Sequence, residues 1–155
     1  FKQKTAYEML RSLVGSEMCI RDRNKGVKLL GDATSILKNS EYLPIKHEFA
    51  DQIYLRQMTI KKGMVVVGAI HNHLHIFFLL KGHLTLSDKD TVEDYEGPCY
   101  VISKPGIQRA VYANEDSIVV NIHKNPTNTK DIDKIENELV SLNMKDYEKY
   151  INNKK

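Results

Sequence analysis

Six histidines occur in this chain of 155 residues, and three of them, His71, His73 and His75, stand two apart. In a continuous strand alternate side chains share a face, so all three imidazoles would project the same way. Neutral imidazole ligates Fe, Mn, Ni, Cu or Zn, and a rigid strand presents two or three such ligands without having to order a loop. The same parity puts Val65, Val67, Ala69, Phe77 and Leu79 on the histidine face, which is therefore expected to be an interior. Polar groups in an apolar interior need a metal, a ligand or protein partners. Metal binding and an internally satisfied or ligand-facing imidazole are equal readings for His71 and His75, and His73 is the weaker candidate because it can point at a mouth instead of the centre. His123 joins them if Ser117, Val119, Asn121 and His123 face inward. The alternate set Ile118, Val120 and Ile122 is more apolar and competes for that side unless a bulge intervenes. His47 and His83 are expected on the surface or in loops.

Arginine is scarce. Beyond residue 23 there are 16 Lys but only Arg56 and Arg109. Two readings stand for this pair: an anion clamp at a cavity mouth, or structural pairing with carboxylates such as Glu93 or Asp94. Tyr54 and Tyr112 are candidate cavity-lining hydroxyls, although an aromatic on a strand is first of all core. Cys99 reads as an inert buried thiol. No nucleophile motif, phosphate-cradling glycine loop or basic-aromatic stripe for nucleic acid is present.

The elements that must position these residues are short strands. Alternation and turn residues predict strands at 52–60, 64–71, 74–80, 83–87, 91–95, 99–103, 108–113 and 117–123. Their punctuation lies at Lys62-Gly63, Lys81-Gly82, Ser87–Asp90, Gly97-Pro98, Pro105-Gly106 and Asn114–Asp116. Eight such strands imply a sandwich or barrel. A short helical stretch precedes them, with Val27, Leu29, Leu30, Ile36 and Leu37, and Leu43-Pro44 forces an extended entry. After Asn125-Pro126, Ile132, Ile135, Leu139 and Leu142 form one helical stripe, with Asp131 as N-cap and Asn143 as C-terminal stop; a second helical piece follows at 145–151. The expected organisation is a leader at 1–23, a helical segment at 24–43, a barrel at 44–125 and a C-terminal helical segment at 126–155 packed on it. Apolar residues on both faces of 64–67 and 76–80 call for an outer cover, either a dimer partner or the C-terminal helix.

Composition limits the partners. With 41% hydrophobic and 28% charged residues and no apolar run near 18, the chain reads as one globular domain without a membrane span. Its formal charge of +3 comes from 23 Lys+Arg against 20 Asp+Glu. Five of those cations and three of those anions fall in residues 1–23, leaving 18 against 17 and a net charge of +1. Nucleic acid is therefore not an expected partner. Residues 1–23, FKQKTAYEMLRSLVGSEMCIRDR, closely resemble translated sequencing-adapter read-through, which implies a non-native leader and a missing native N-terminus.

The layout Gly63, then His71-Asn72-His73-Leu74-His75, then Gly82, followed by Gly97-Pro98, Ser103-Lys104-Pro105-Gly106 and Arg109, resembles the two motifs of the cupins. The runs GMVVVGAIHNHLHIFFLLKG, GPCYVISKPGIQRAVYANED and NPTNTKDIDKIENELV are similar to small single-domain cupins encoded by tailed phages and metagenomic contigs, over about residues 44–142. The resemblance implies an all-β, RmlC-like jelly roll, the double-stranded β-helix, with short helices at both ends. It also departs from the family pattern of two histidines and a glutamate in the first motif and a histidine in the second. Counted back from Gly82, His75 takes the glutamate position, His71 that of the second histidine and Ala69 that of the first; counted forward from His71 and His73, Phe77 takes the glutamate position. Counted from Gly106, Arg109 takes the place of the second motif's histidine.

Two functions follow as expectations. One is a cupin binding a divalent metal (Fe, Mn, Ni or Zn) through His71 and His75, with His73 or His123, and taking a small anionic ligand near Arg109, Tyr112, Arg56 and Tyr54. The other is a metal-free module for a sugar or carboxylate, or a phage-associated accessory protein without catalysis. A carbohydrate epimerase or isomerase needs a poised acid/base pair, and no carboxylate lies near the histidine strand in sequence. A homodimer in the cytoplasm of a bacterial or phage-infected host completes the expectation.

Overall fold

A computed structural model describes residues 43–88 and 91–154. The expected leader at 1–23 and the helical segment at 24–43, except Leu43, lie outside the described residues. Strands β1 (Ile45–Ala50), β2 (Ile53–Ile60), β3 (Val65–Val67), β4 (Ile70–His71), β5 (His75–Lys81), β6 (His83–Ser87), β7 (Val92–Glu96), β8 (Cys99–Ser103), β9 (Ala110–Ala113) and β10 (Ser117–Lys124) come first. Helix α1 (Ile132–Leu139), strand β11 (Val140–Ser141) and helix α2 (Met144–Asn152) follow. No helix among the described residues is long and apolar enough to cross a membrane.

The pairing is nested: β6 with β7, β5 with β8, β3 with β9 and β2 with β10, all antiparallel. One long two-stranded ribbon is thus folded back on itself, and β10 with β5 and β9 with β6 zip the folded turns together. The result is a five-stranded sheet ordered β1-β2-β10-β5-β8 over a four-stranded sheet ordered β3-β9-β6-β7. This is the jelly-roll, or double-stranded β-helix, arrangement. Ile60, Phe77, Leu79, Leu84, Leu86, Ala113 and Val119 fill the space between the sheets.

Several elements differ from the sequence expectation. The segment 64–71 is two strands: the Gly68 N–H makes one further bond along β9, to Arg109 O at 2.9 Å, and the chain then leaves that sheet to pair as β4 with Val140 and Ser141. Alternation in IKHEFA, with Ile45, His47 and Phe49 turned inward, makes β1, which the sequence reading passed over. The stripe expected to run to Leu142 ends at Leu139, where β-branched Val140 turns extended and bridges to His71. Asn143, expected to stop a helix, instead starts one: its side-chain oxygen accepts from Asp146 N–H at 3.0 Å and caps α2. On β10 the less apolar set faces in, and the β10–β5 register shifts between Ile118 and Val119. The outer set is covered unevenly, with Val120 buried while Leu80, Tyr100 and Ile102 on the same sheet's outer face are exposed.

Two glycines hold the ribbon where it turns. Gly106 (φ +80°) donates its N–H to His71 O at 2.9 Å and lies under the Tyr147 ring of α2. Gly82 (φ +99°) joins β5 to β6, and a Cβ there would lie 2.2 Å from Ser117 Oγ and 2.7 Å from Asp116 O. Gly82→Ala adds the left-handed backbone penalty to an overpacked backbone contact, and is expected to cost roughly 2–5 kcal/mol. Urea unfolding measures it; a loss below about 1 kcal/mol would contradict the turn geometry.

Candidate metal centre

The sheet register places the site. Across the inner face of the five-stranded sheet, Tyr54, His123, His75 and Ser103 form one row, and Arg56, Asn121, Phe77 and Val101 form the next. Met58, Val119, Leu79 and Cys99 form the third. Polarity therefore declines along the barrel, row by row.

His71 reaches the first row from outside the sheet. Its strand β4 is held by the bridge to Val140 and by Gly106. Beyond it Asn72 is buried and bonded three ways to the C-terminal segment. Its N–H donates to Leu139 O at 2.8 Å, its Nδ2 donates to Glu138 O at 3.1 Å, and its Oδ1 accepts from Ser141 Oγ at 2.6 Å. This anchor bends the chain between β4 and β5. The alternation that would have put three histidines on one face is thereby broken.

His71, His75 and His123 converge, with a ligand nitrogen from each lying within 4.8 Å of the others. Their rings stack, with centroids 3.8 Å apart for His71 and His75, 5.1 Å for His71 and His123, and 4.9 Å for His75 and His123. His75 and His123 are each only 5% exposed. Nδ1 of His71 and Nδ1 of His75 are buried without a hydrogen-bond partner. His73 is not part of the group: the bend sends it outward to α2, where its Nε2 meets Tyr150 Oη at 2.8 Å and Glu138 Oε1 at 3.4 Å.

All three converging imidazoles are held neutral. Burial pushes His71 down to about 2; a second proton in the cluster would be repelled by one on His75 or His123, and the charges of Arg56 and Arg109 add to the effect. Burial lowers His123 to about 3, assisted by His75 and Arg56. Burial also lowers His75 to about 4, with the His73 backbone opposing and Arg109 assisting. These are nitrogens with lone pairs available at neutral pH, which metal ligation requires.

A cavity of about 340 Å3 opens beside them, with Arg56, His71, His75, Arg109 and Glu136 on its wall and the remainder of the lining apolar or glycine. Arg56 pairs with Glu136 of α1 at 3.2 Å, not with Glu93 or Asp94, and its Nε is buried without a partner. Arg109 Nη1 donates to Ser103 Oγ, which brings its guanidinium to the histidine row, and it forms no ion pair among the described residues. Tyr54 and Tyr112 do not line this cavity. Tyr54 is core, 1% exposed, packed on Ile135 and Leu139 with its hydroxyl 2.7 Å from His47 Nδ1; Tyr112 sits on β9 opposite Val65 and Thr85.

His47 and His83 are half-buried strand residues, not loop or surface ones, and His83 lies 3.8 Å from Asp94. Cys99 is half-buried, with burial raising its thiol. Glu136 is the cavity carboxylate that sequence proximity to the histidines could not find. Only the docking of α1 over Tyr54 brings it there.

Burial of neutral histidines has a signed consequence. In the unfolded chain each titrates near 6.5, while in the fold it stays neutral to about 4 or below. The unfolded state therefore binds more protons below pH 6.5, and stability present above that pH is lost as pH falls, at up to about 1.4 kcal/mol per pH unit for each histidine. Urea midpoints of metal-free protein are expected to drop steeply from pH 7 to pH 5, and His123→Gln to flatten the slope. A profile unchanged by that substitution would contradict the buried neutral cluster.

No protein-family model and no curated protein matches the chain. Among solved structures it is similar to KdgF from Halomonas sp., at 12% identity over 56% of this chain and 82% of that one, with a TM-score of 0.49. An RmlC-like cupin from Shewanella frigidimarina is similar at 12% identity over 60% and 82%, with a TM-score of 0.49. A cupin superfamily protein from Desulfitobacterium hafniense is similar at 10% identity over 56% and 80%, with a TM-score of 0.48. At these identities and scores no residue role passes from them to this chain.

Proposed function

We propose that the barrel holds one divalent transition-metal ion through His71, His75 and His123 and takes a small anionic ligand in the adjoining cavity. The observation that supports this best is the convergence of three neutral imidazoles, two of them with buried nitrogens that have no partner. Without a ligand such nitrogens cost free energy. The donor set fits a metal. Nitrogens bound at ~2.0–2.1 Å to one tetrahedral ion lie about 3.4 Å apart, so atoms already within 4.8 Å need to close by no more than about 1.4 Å, within reach of side-chain rotation. Three nitrogen donors suit Fe, Mn, Ni, Cu or Zn and leave coordination positions for a ligand.

Each residue around the histidines has a task in this reading. The Val140 bridge and Asn72 fix His71; Tyr54 stacks on His123 with ring centroids 6.0 Å apart; Ser103 stands across from His75. Arg109 carries a positive charge that repels a cation and attracts an anion, so it favours the metal site most when an anion lies between them. A divalent ion bound there supplies Lewis-acid polarisation of a ligand oxygen or, as iron, a site for O2.

Metal analysis after equilibration with each of Fe, Mn, Ni, Cu and Zn tests the proposal. The expected result is one equivalent of at least one metal, a rise in unfolding free energy of about 2.7 kcal/mol at a hundredfold excess over Kd, and loss of binding in His75→Ala and His123→Ala. His73→Ala should retain the metal. Absence of stoichiometric binding by all five metals would overturn the reading.

A further inference from the structure

We infer that the ligand of this cavity is an amphiphilic monocarboxylate, with its head between Arg109 and Arg56 beside the histidines and an apolar body lying toward Met58 and Ile60. The inference rests on the proposed metal centre for one anchor of the head and on the two arginines for the other.

Charge argues for the head. Two guanidinium groups and one carboxylate line the cavity, an excess of one positive charge that a divalent ion would raise to three. Glu136 occupies Arg56 Nη1 but leaves Arg56 Nε a buried donor with no acceptor, and among the described residues the Arg109 guanidinium meets only the neutral hydroxyl of Ser103. A buried guanidinium donor without an acceptor is costly, and a carboxylate is the group whose geometry matches it. Both guanidinium groups line the same cavity from opposite sides: Arg109 is held at the Ser103–His75 row on the β8 side of the sheet, and Arg56 enters one row below from β2.

The lining argues for the body. Apart from Arg56, His71, His75, Arg109 and Glu136, every lining residue is aliphatic, phenylalanine, methionine or glycine. None of the lining residues carries a hydroxyl, amide or phenol side chain, and the nearest amide, Asn121, sits between Arg56 and Phe77 in their row, so a sugar ring would bury most of its hydroxyls against apolar side chains. Met58, Ile60, Val66, Phe77 and Val111 instead form an apolar wall continuous with the barrel core. A cavity of about 340 Å3 corresponds to roughly eleven water volumes at ~30 Å3 each, room for a ligand on the order of ten non-hydrogen atoms.

Calorimetric titration of the metal-loaded protein with octanoate, phenylacetate, 1-octanol and glucuronate, with metal content measured in each sample, tests this. Octanoate or phenylacetate should bind at least about tenfold more tightly than octanol, which lacks the charge, and than glucuronate, which replaces the apolar body with hydroxyls. Arg109→Met should cut that preference over octanol at least several-fold while keeping one equivalent of metal, and Arg109→Lys should restore part of it. Binding of glucuronate as tight as octanoate, or an unchanged preference in Arg109→Met, would overturn the inference. Repeating the titration on metal-free protein separates the two proposals: carboxylate selectivity without any metal uptake contradicts the metal centre alone, and full metal uptake without carboxylate selectivity contradicts this inference alone.

Discussion

Three imidazoles stacked against one another in a barrel interior cannot all carry charge, and the surrounding structure is arranged around keeping them neutral. Burial supplies most of the effect at His71, His75 and His123, and Arg56 and Arg109 reinforce it from the cavity side. Such a cluster is a poor way to stabilise a fold, since it buries nitrogens without partners and loses stability on acidification. A ligand that uses those lone pairs removes the penalty, and three neutral imidazoles are a donor set compatible with a divalent metal.

The C-terminal segment is as much a part of this site as the barrel. Val140 bridges His71, Leu139 and Glu138 carbonyls and the Ser141 hydroxyl hold Asn72, and Glu136 neutralises one arginine. The anchoring of Asn72 separates His71 from His73 by turning the chain, so that the first imidazole faces the cavity and the second faces Tyr150 of α2. A strand that ran straight through would have presented both on one face.

Much of the barrel was legible because alternation and turn residues are local signals. The strands at 83–87 and 99–103 match their expected bounds, and the Gly82 and Pro105-Gly106 turns fall where their residues predict. The parity rule also set His123 beside Asn121 and Val119, but which side of β10 faces in depends on pairing with β2 and β5, which no local pattern states. The opposite failure occurred at His73, where parity was clear and long-range hydrogen bonds to the C-terminal segment overrode it. Glu136 carried no sequence signal at all, since its place beside Arg56 follows from where α1 docks. His47 did carry one, in the alternation of Ile45, His47 and Phe49, and its role is to satisfy the buried Tyr54 hydroxyl.

A crystal of protein grown with the metal it retains, with anomalous scattering collected above and below that metal's absorption edge, tests the central claim most directly. The account predicts a single peak bonded to one nitrogen each of His71, His75 and His123 at about 2.0–2.2 Å. A peak elsewhere, such as between His73 and Glu138, or no peak at the three histidines in protein saturated with metal, would contradict it.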